Sequence, residues 1–497
     1  MKLSSITRIA CLLLAAVSIA QAQNDRRPLN TQELPVAQGP NASTTQYLAF
    51  QIFTGTRVSP EILRNLGPGT DNAQTVDRII RAIGTVGSKN RKLGFVPGPL
   101  AFDHADDEIR KLMRNSFVIA RENNIAVGFH IDDSMFWRRL SYLNTTDNIE
   151  WLDWDKTPNT GRLLNWSVTP TRLMPQLCMN SPAVLVEVKK RSALIGEEAR
   201  RGMESLRAAD KDHLFIGVIA GWETRLGKDF ATGKYSGYNA LTRKGFSAKN
   251  TRAELDEARV DIVKEFIDFW TKSLAEAGIP DGKIFSHAAL PQLGAGREAY
   301  DAGVTVADYL EKIDFSPPRV AFGPHYVPGL STYPPFHLDE IKADRVKYGM
   351  TKPWASCEGS AVDPASAAIG GGGIPMEAYL ANLFNKGAIL VDYYGWEVGP
   401  ATSPFRKSAE GEPSLKAYRK FLRGEELKAG SMEGEMSPFQ VKMQKLGKEM
   451  PIYIQKNGPE KAQAIMAGIQ EIKELMKARK IKEAEQIADR LLNIIGK

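Results

Sequence analysis

Between residues 46 and 424, short apolar runs alternate with longer stretches whose apolar residues recur at helical spacing. Runs at 47–53, 93–96, 126–131, 214–220, 283–286, 319–322, 353–356 and 388–391 predict strands, being short, apolar and bounded by turn-forming residues. The periodic stretches predict helices over 73–83, 107–122, 183–208, 253–277, 338–348, 376–384 and 414–422. Strands that alternate with helices build a parallel sheet. Eight repeats in this length predict an α/β fold of the closed (β/α)8-barrel type, the TIM barrel. An open doubly wound sheet would call for a Gly-rich phosphate loop after an early strand, and none follows Phe53 or Val96. Gly370 to Gly373 come late, without GxGxxG spacing or a P-loop lysine, and read as a flexible loop.

Two connections are much longer than the rest, 132–182 after the third strand and 221–251 after the fourth. Both leave the C-terminal ends of strands, the face on which barrels of this kind do chemistry. Residues 425–497 change character, with Lys, Glu, Ala, Met and Leu at helical spacing over 436–454 and 459–495, and read as a small helical appendage. At the other end Lys2 and Arg8 precede an apolar stretch at 9–19 and the small-x-small pattern Ala20-Gln21-Ala22. This predicts a signal peptide over 1–22, a polar leader over 23–45, and a secreted or periplasmic protein without membrane insertion.

Composition narrows the picture little. The formal charge of +7 is spread along the chain, which speaks against dedicated nucleic-acid binding. Past the signal peptide only Cys178 and Cys357 remain, enough for one disulfide but not for a disulfide scaffold or a zinc site.

Acidic residues just beyond apolar strands carry the chemical reading. Cleaving a glycosidic bond takes one carboxylic acid to protonate the leaving oxygen, and a second carboxylate to attack the anomeric carbon or activate water. Glu223 follows Phe-Ile-Gly-Val-Ile-Ala-Gly-Trp and Glu358 follows Pro-Trp-Ala-Ser-Cys, at the ends of the fourth and seventh predicted strands. Taken singly, each is as well explained as a loop acid near a helix start. Two on these strands, with His325-Tyr326 and Trp396 on others, form a constellation.

That constellation resembles the clan A glycoside hydrolases, retaining barrel enzymes that include β-galactosidases, cellulases and mannanases. The resemblance covers roughly residues 47–422 in architecture and a handful of residues in motif. It implies that Glu223 is the acid/base, Glu358 the nucleophile, Tyr326 the hydrogen-bond partner of that nucleophile, and Trp396 in Asp392-Tyr-Tyr-Gly-Trp a platform beneath the sugar. Clan members have Asn immediately before the acid/base, where this chain has Trp222. β-Amylase, an inverting barrel enzyme, also places glutamates after strands four and seven, so stereochemistry does not follow from position.

Other residues are candidates for substrate binding. Asp132 and Asp133 follow the third strand, and His130 alternates with Ile131 so that it can point into the barrel mouth. Tyr394 and Asp392 follow the eighth strand, while Asp103-His104 is a weaker pair. Trp137, Trp151, Trp154, Trp166, Trp222 and Trp396 fall in predicted mouth loops, where aromatic faces suit sugar rings, whereas Trp270 and Trp354 read as core. His104, His130, His287 and His325 lack metal-motif spacing, and neither a metal nor a cofactor is expected. The partner expected is an oligo- or polysaccharide. Arg138, Arg139, Arg162 and Arg225 leave an acidic glycan open, and with it a polysaccharide lyase or a metal-dependent hydrolase. A carbohydrate-binding barrel without catalysis is the other alternative.

Overall fold

The computed structural model describes residues 29–36, 44–53, 72–164, 171–289, 310–311, 313–334, 353–362, 373–430, 438–457, 459–477 and 480–496. The predicted signal peptide, the helix expected over 338–348, Trp166 and Gly370 to Gly372 lie outside them.

Eight parallel strands form the central sheet: β1 (Gln46–Phe53), β2 (Arg91–Gly98), β3 (Ala126–Ile131), β4 (Phe215–Ala220), β5 (Ile284–Ser286), β6 (Gly329–Thr332), β7 (Trp354–Gly359) and β8 (Ala388–Tyr393). Adjacent strands pair in the order β5-β4-β3-β2-β1-β8-β7-β6. The two ends of that order meet, because Val327 N donates to Ile284 O at 2.8 Å and Ala288 N donates to Gly329 O at 3.1 Å. The sheet is therefore a closed barrel, as the alternation of runs predicts. Helices α1 (Asn72–Ile83), α2 (Asp106–Asn123), α3 (Pro182–Ala208), α4 (Arg252–Glu276), α5 (Met376–Phe384), α6 (Pro404–Glu410) and α7 (Glu412–Leu422) connect the strands or follow the last of them. Three more, α8 (Pro438–Asn457), α9 (Pro459–Lys477) and α10 (Ile481–Ile495), pack on one another around Phe439, Leu446, Ile472 and Leu491. Among the described residues no helix is long and apolar enough to cross a membrane.

Strand alternation sorts the core into two layers. Tyr47, Ala49, Val96, Ala126, Ile216, Phe285, Ala355, Cys357 and Leu390 fill the barrel interior, while Leu48, Phe50, Phe95, Phe129 and Val391 pack outward against the helices. Inward positions nearer the C-terminal ends turn polar, with Gln51, His130 and Asp392 all buried there. Trp270 and Trp354 are core residues, and Cys178 and Cys357 are both free, so no disulfide forms between them.

One predicted strand is misplaced. Residues 318–321 form a turn of 3-10 helix, Pro318–Ala321, and the sixth strand is Gly329–Thr332. Pro317 and Pro318 carry no N–H for a sheet ladder, whereas Gly329-Leu-Ser-Thr is too short and polar to stand out as an apolar run. Gly329 is there because its backbone lies against β5. A Cβ on it would sit 1.9 Å from Ser286 O and 2.3 Å from Cys357 Sγ.

The closing seam should thus be sensitive to a single methyl group. Gly329→Ala is expected to destabilise the fold by about 2 kcal/mol through overpacking. Gly282→Ala, where a Cβ meets nothing within 4 Å, serves as the control. Thermal unfolding of both variants checks this, and an unchanged midpoint for Gly329→Ala would show that the seam has slack.

Candidate active site

Two local distortions aim the two glutamates at one place. On β7 the register slips against both neighbours. Leu330 pairs with Ser356 but Ser331 with Glu358, while Val391 pairs with Ser356 but Tyr393 with Gly359. One extra residue at Cys357–Glu358 is a bulge, and it lets Cys357 stay in the barrel interior while Glu358 turns to the mouth. After β4 the chain breaks through Gly221 at φ 102° and Glu223 at φ 52°, the second being a left-handed conformation that a glutamate rarely adopts. A Cβ at Gly221 would come within 2.5 Å of Thr224 Oγ1.

Glu358 is buried and ringed by neutral donors. Trp222 Nε1 donates to its Oε2 at 2.7 Å, and Tyr333 Oη donates to its Oε1 at 2.7 Å. The Gln51 amide is also hydrogen-bonded to it. Burial and the nearby Glu223 carboxylate nevertheless push Glu358 up to about 7, against the pull of those donors. Tyr333 feels both carboxylates and so lies against the pair. Glu223 is partly exposed. Ser331 Oγ donates to its Oε1 at 2.6 Å, and Arg225 stands 3.6 Å from Oε2 and 3.6 Å from Asp314.

Beneath this pair lies a buried polar layer. His130 Nε2 is 3.0 Å from His287 Nδ1 and 2.9 Å from Gly221 O, and His287 Nε2 is 2.8 Å from Ser331 Oγ. Burial, aided by His287, holds His130 well below the usual imidazole range, and burial holds His287 down to about 3. Both rings are therefore neutral. Asp392 is buried with neither carboxyl oxygen partnered among the described residues, and burial and then Glu358 raise it well above the carboxylate range.

Several expected site residues gather here. Trp222 lies over Phe53 at 6.0 Å between ring centroids and beside His130, and Tyr394 packs on Phe53 and Tyr333. Asp133 accepts a short hydrogen bond from Thr224, next to Glu223, and is buried near Arg162. Asp132 is instead a turn acceptor for the N–H groups of Met135 and Phe136, and burial and then Asp133 raise it to about 7.

Others lie elsewhere. His325 and Tyr326 precede β6 instead of following it. Tyr326 donates to Asp268 on α4 at 2.8 Å, and His325 is exposed beside Asp281, ahead of β5. Tyr333 holds the place expected for Tyr326. Trp396 is buried in the outer core against Phe50, so it is not a platform in the mouth. Trp137 is fully buried with its Nε1 donating to Pro175 O, and Trp151 and Trp154 pack within the long connections. Asp103 pairs with Arg138, and His104 bonds the Ala101 backbone. Among the described residues, no cluster of His, Cys, Asp and Glu has the makings of a metal site.

Gln51, Ser331 and Tyr333 were not singled out from the sequence. Gln51 was visible as the polar residue in an apolar run, on the same face as Tyr47 and Ala49. Ser331 and Tyr333 were hidden by the misplaced sixth strand.

No protein-family model matches this chain, and no curated protein sequence matches it. Solved structures that it is similar to include a β-galactosidase from Rahnella sp. R3 (10% identity, TM-score 0.39, covering 78% of this chain and 57% of that one). A β-galactosidase from Marinomonas ef1 matches at 11% identity and TM-score 0.40, over 76% of this chain and 59% of that one. The catalytic domain of a β-amylase from Paenibacillus polymyxa matches at 7% identity and TM-score 0.43, over 76% of this chain and 98% of that one. The chain thus spans less than two thirds of either β-galactosidase. The fold rests on the strand pairings and the chemistry on the residues above.

The protonation of Glu358 has a stability signature. Its carboxyl binds a proton at about 7 in the folded chain against 4.5 ordinarily, so between those values the folded state holds more protons than the unfolded one. Stability must then fall as pH rises through that window. Glu358→Gln removes this contribution, so the wild type should lose about 1–3 kcal/mol relative to the variant between those limits. Chemical denaturation at pH values spanning the window measures it. Parallel curves for the two proteins would mean that Glu358 is ionised throughout.

Proposed function

We propose that the protein is an exported glycoside hydrolase that cleaves an oligo- or polysaccharide with Glu223 as acid/base and Glu358 as nucleophile. The observation that carries this reading is the pairing itself, two carboxyl groups brought from β4 and β7 to one aromatic-walled barrel mouth. The export part rests on the basic and apolar pattern of residues 2–22.

The surroundings suit the two roles. Donors occupy both oxygens of Glu358, and Trp222 Nε1 cannot accept, so these contacts favour its anion while burial and Glu223 oppose it. In the first step a Glu358 oxygen attacks the anomeric carbon while Glu223 gives its proton to the departing glycosidic oxygen. In the second, Glu223 takes a proton from water, whose oxygen displaces Glu358 from the sugar. Positive charge developing on the sugar ring stabilises the Glu358 anion as it forms the bond. Phe53, Trp222, Tyr333 and Tyr394 supply apolar surface for sugar C–H faces.

A neutral glycan is the substrate favoured. Arg225 is placed between Glu223 and Asp314, and Arg162 is buried among Asp133, Asp314 and Asp132. Arg138 is paired with Asp103. These charges are already met within the protein, which leaves little to recognise a uronic acid.

Glu358→Ala should abolish turnover of activated aryl glycosides, and azide should restore it with a product of inverted configuration. Glu223→Ala should lose about 10²- to 10⁴-fold on poor leaving groups while sparing good ones, with azide giving a product of retained configuration. If both variants keep the parent rate on every glycan it cleaves, the assignment is wrong. A parent that binds a glycan and cleaves none would be a binding barrel.

A further inference from the structure

We propose that Gln51, His130, His287 and Ser331 form a one-way chain of hydrogen-bond donors that ends on Glu223 Oε1 and confines the transferable proton of the acid to Oε2. This role rests on reading Glu223 as the acid/base. The four are positioning residues, acting through the carboxyl groups that they orient.

The direction of the chain follows from counting protons. A neutral imidazole has one donor and one acceptor nitrogen, and a hydroxyl has one hydrogen. Ser331 Oγ lies 2.6 Å from Glu223 Oε1 and 2.8 Å from His287 Nε2. Gly221 O only accepts, so His130 Nε2 carries a hydrogen, neutral His287 carries its own on Nε2 and gives it to Ser331 Oγ, and Ser331 gives its hydrogen to Glu223 Oε1. His287 Nδ1 is then bare and faces His130 Nε2 at 3.0 Å, which carries the hydrogen; His287 Nδ1 also lies 3.3 Å from Gly221 O, but the shorter 2.9 Å approach of His130 Nε2 takes that carbonyl. That same N–H leans on Gly221 O at 2.9 Å, a contact that fixes the tautomer independently of His287. His130 Nδ1 is bare in turn and faces Gln51 Nε2 at 3.4 Å. Every link runs from Gln51 toward Glu223, and no link has two donors or two acceptors facing each other.

An amide at the far end neither supplies nor takes up a proton near neutral pH. The chain is therefore a clamp and not a conduit. Because both rings are neutral, Ser331 holds Glu223 Oε1 as an acceptor through a dipole, without the charge that would keep the acid ionised. The proton that Glu223 gives and takes back is left to Oε2, the oxygen on the side of Arg225. Gln51 is also hydrogen-bonded to Glu358, so one amide fixes the orientation of both carboxyl groups. Among the described residues Arg225, Glu358 and Tyr333 face Glu223, and of the chain itself the neutral His130 also lies within its field.

The test has two independent arms on the full-length protein. In ¹⁵N-histidine NMR spectra, His130 and His287 should both appear as neutral Nε2–H tautomers that do not titrate between about pH 5 and 8. An Nδ1–H tautomer at His287, or protonation of either ring in that range, overturns the chain whatever the protein hydrolyses. In kinetics, Ser331→Ala should lower kcat/KM about tenfold on a glycoside with a poor leaving group, and less than about twofold on an activated aryl glycoside. Ser331→Thr, which keeps the hydroxyl, should recover most of the loss. An equal loss on both substrates would make Ser331 merely structural and overturn the positioning role. A parent that cleaves no glycoside removes the acid/base reading and the positioning role with it, while the tautomers still decide whether the chain exists.

Discussion

Two carboxyl groups held close together and away from water repel each other when both are charged, and the mouth of this barrel is organised around that repulsion. A salt bridge to each would relieve it by fixing both as anions, and the pair would then hold no proton at neutral pH. Neutral donors do something different. Tyr333, Trp222 and Gln51 on Glu358, and Ser331 on Glu223, orient the oxygens while leaving the pair able to keep a proton. Among the described residues the nearby cation, Arg225, stands 3.6 Å from Glu223 and is shared with Asp314.

The barrel supplies that arrangement by strand alternation in the interior and local distortion at the mouth. Alternation sets Tyr47, Ala49 and Leu390 in the lower interior. The same alternation, carried two residues further along β1 and β8, brings Gln51 and Asp392 inward, and on β3 it brings His130. Glu358 would point outward on a regular β7, and the bulge at Cys357–Glu358 reverses it. Glu223 reaches the mouth through a left-handed residue directly after β4. Two departures from ideal strand geometry thus aim the carboxyl groups, besides register shifts near the starts of β4 and β8, and the closed ladder holds the strands around them.

Much of this was legible in the chain because periodicity is. Seven of the eight strands stood out as apolar runs, and the acids after the fourth and seventh followed from them. The sixth did not, because Gly329-Leu-Ser-Thr is selected for close approach to β5 and for hydrogen bonding and has little apolar surface to show. That single error moved His325 and Tyr326 to the wrong end of the barrel and hid Tyr333. The tryptophans misled for another reason. A large aromatic in a long loop fits the packing of that loop as well as it fits a sugar, and Trp137 and Trp151 do the former. Trp396 follows β8 as expected, but it turns outward onto Phe50. Sequence position fixes which end of a strand a residue occupies more firmly than which side of the wall it faces.

Asp392 bears on how the pair is set. Its two carboxyl oxygens have no partner among the described residues and it is fully buried, conditions under which the neutral acid is much the more stable form. A neutral Asp392 adds no charge to the interior beneath Glu358, whereas an ionised one would repel it and drive the pair to hold its proton more tightly. The histidines are neutral for the same reason, and an imidazolium at His287 would pull the other way by favouring the Glu223 anion. The polar layer under the carboxyl pair thus consists of groups able to ionise that burial keeps uncharged. On the proposed mechanism this leaves the substrate as the strongest new field in the mouth. Positive charge on the sugar then acts on Glu358 across a low-dielectric gap with little local ionic screening, where a given charge has its greatest effect.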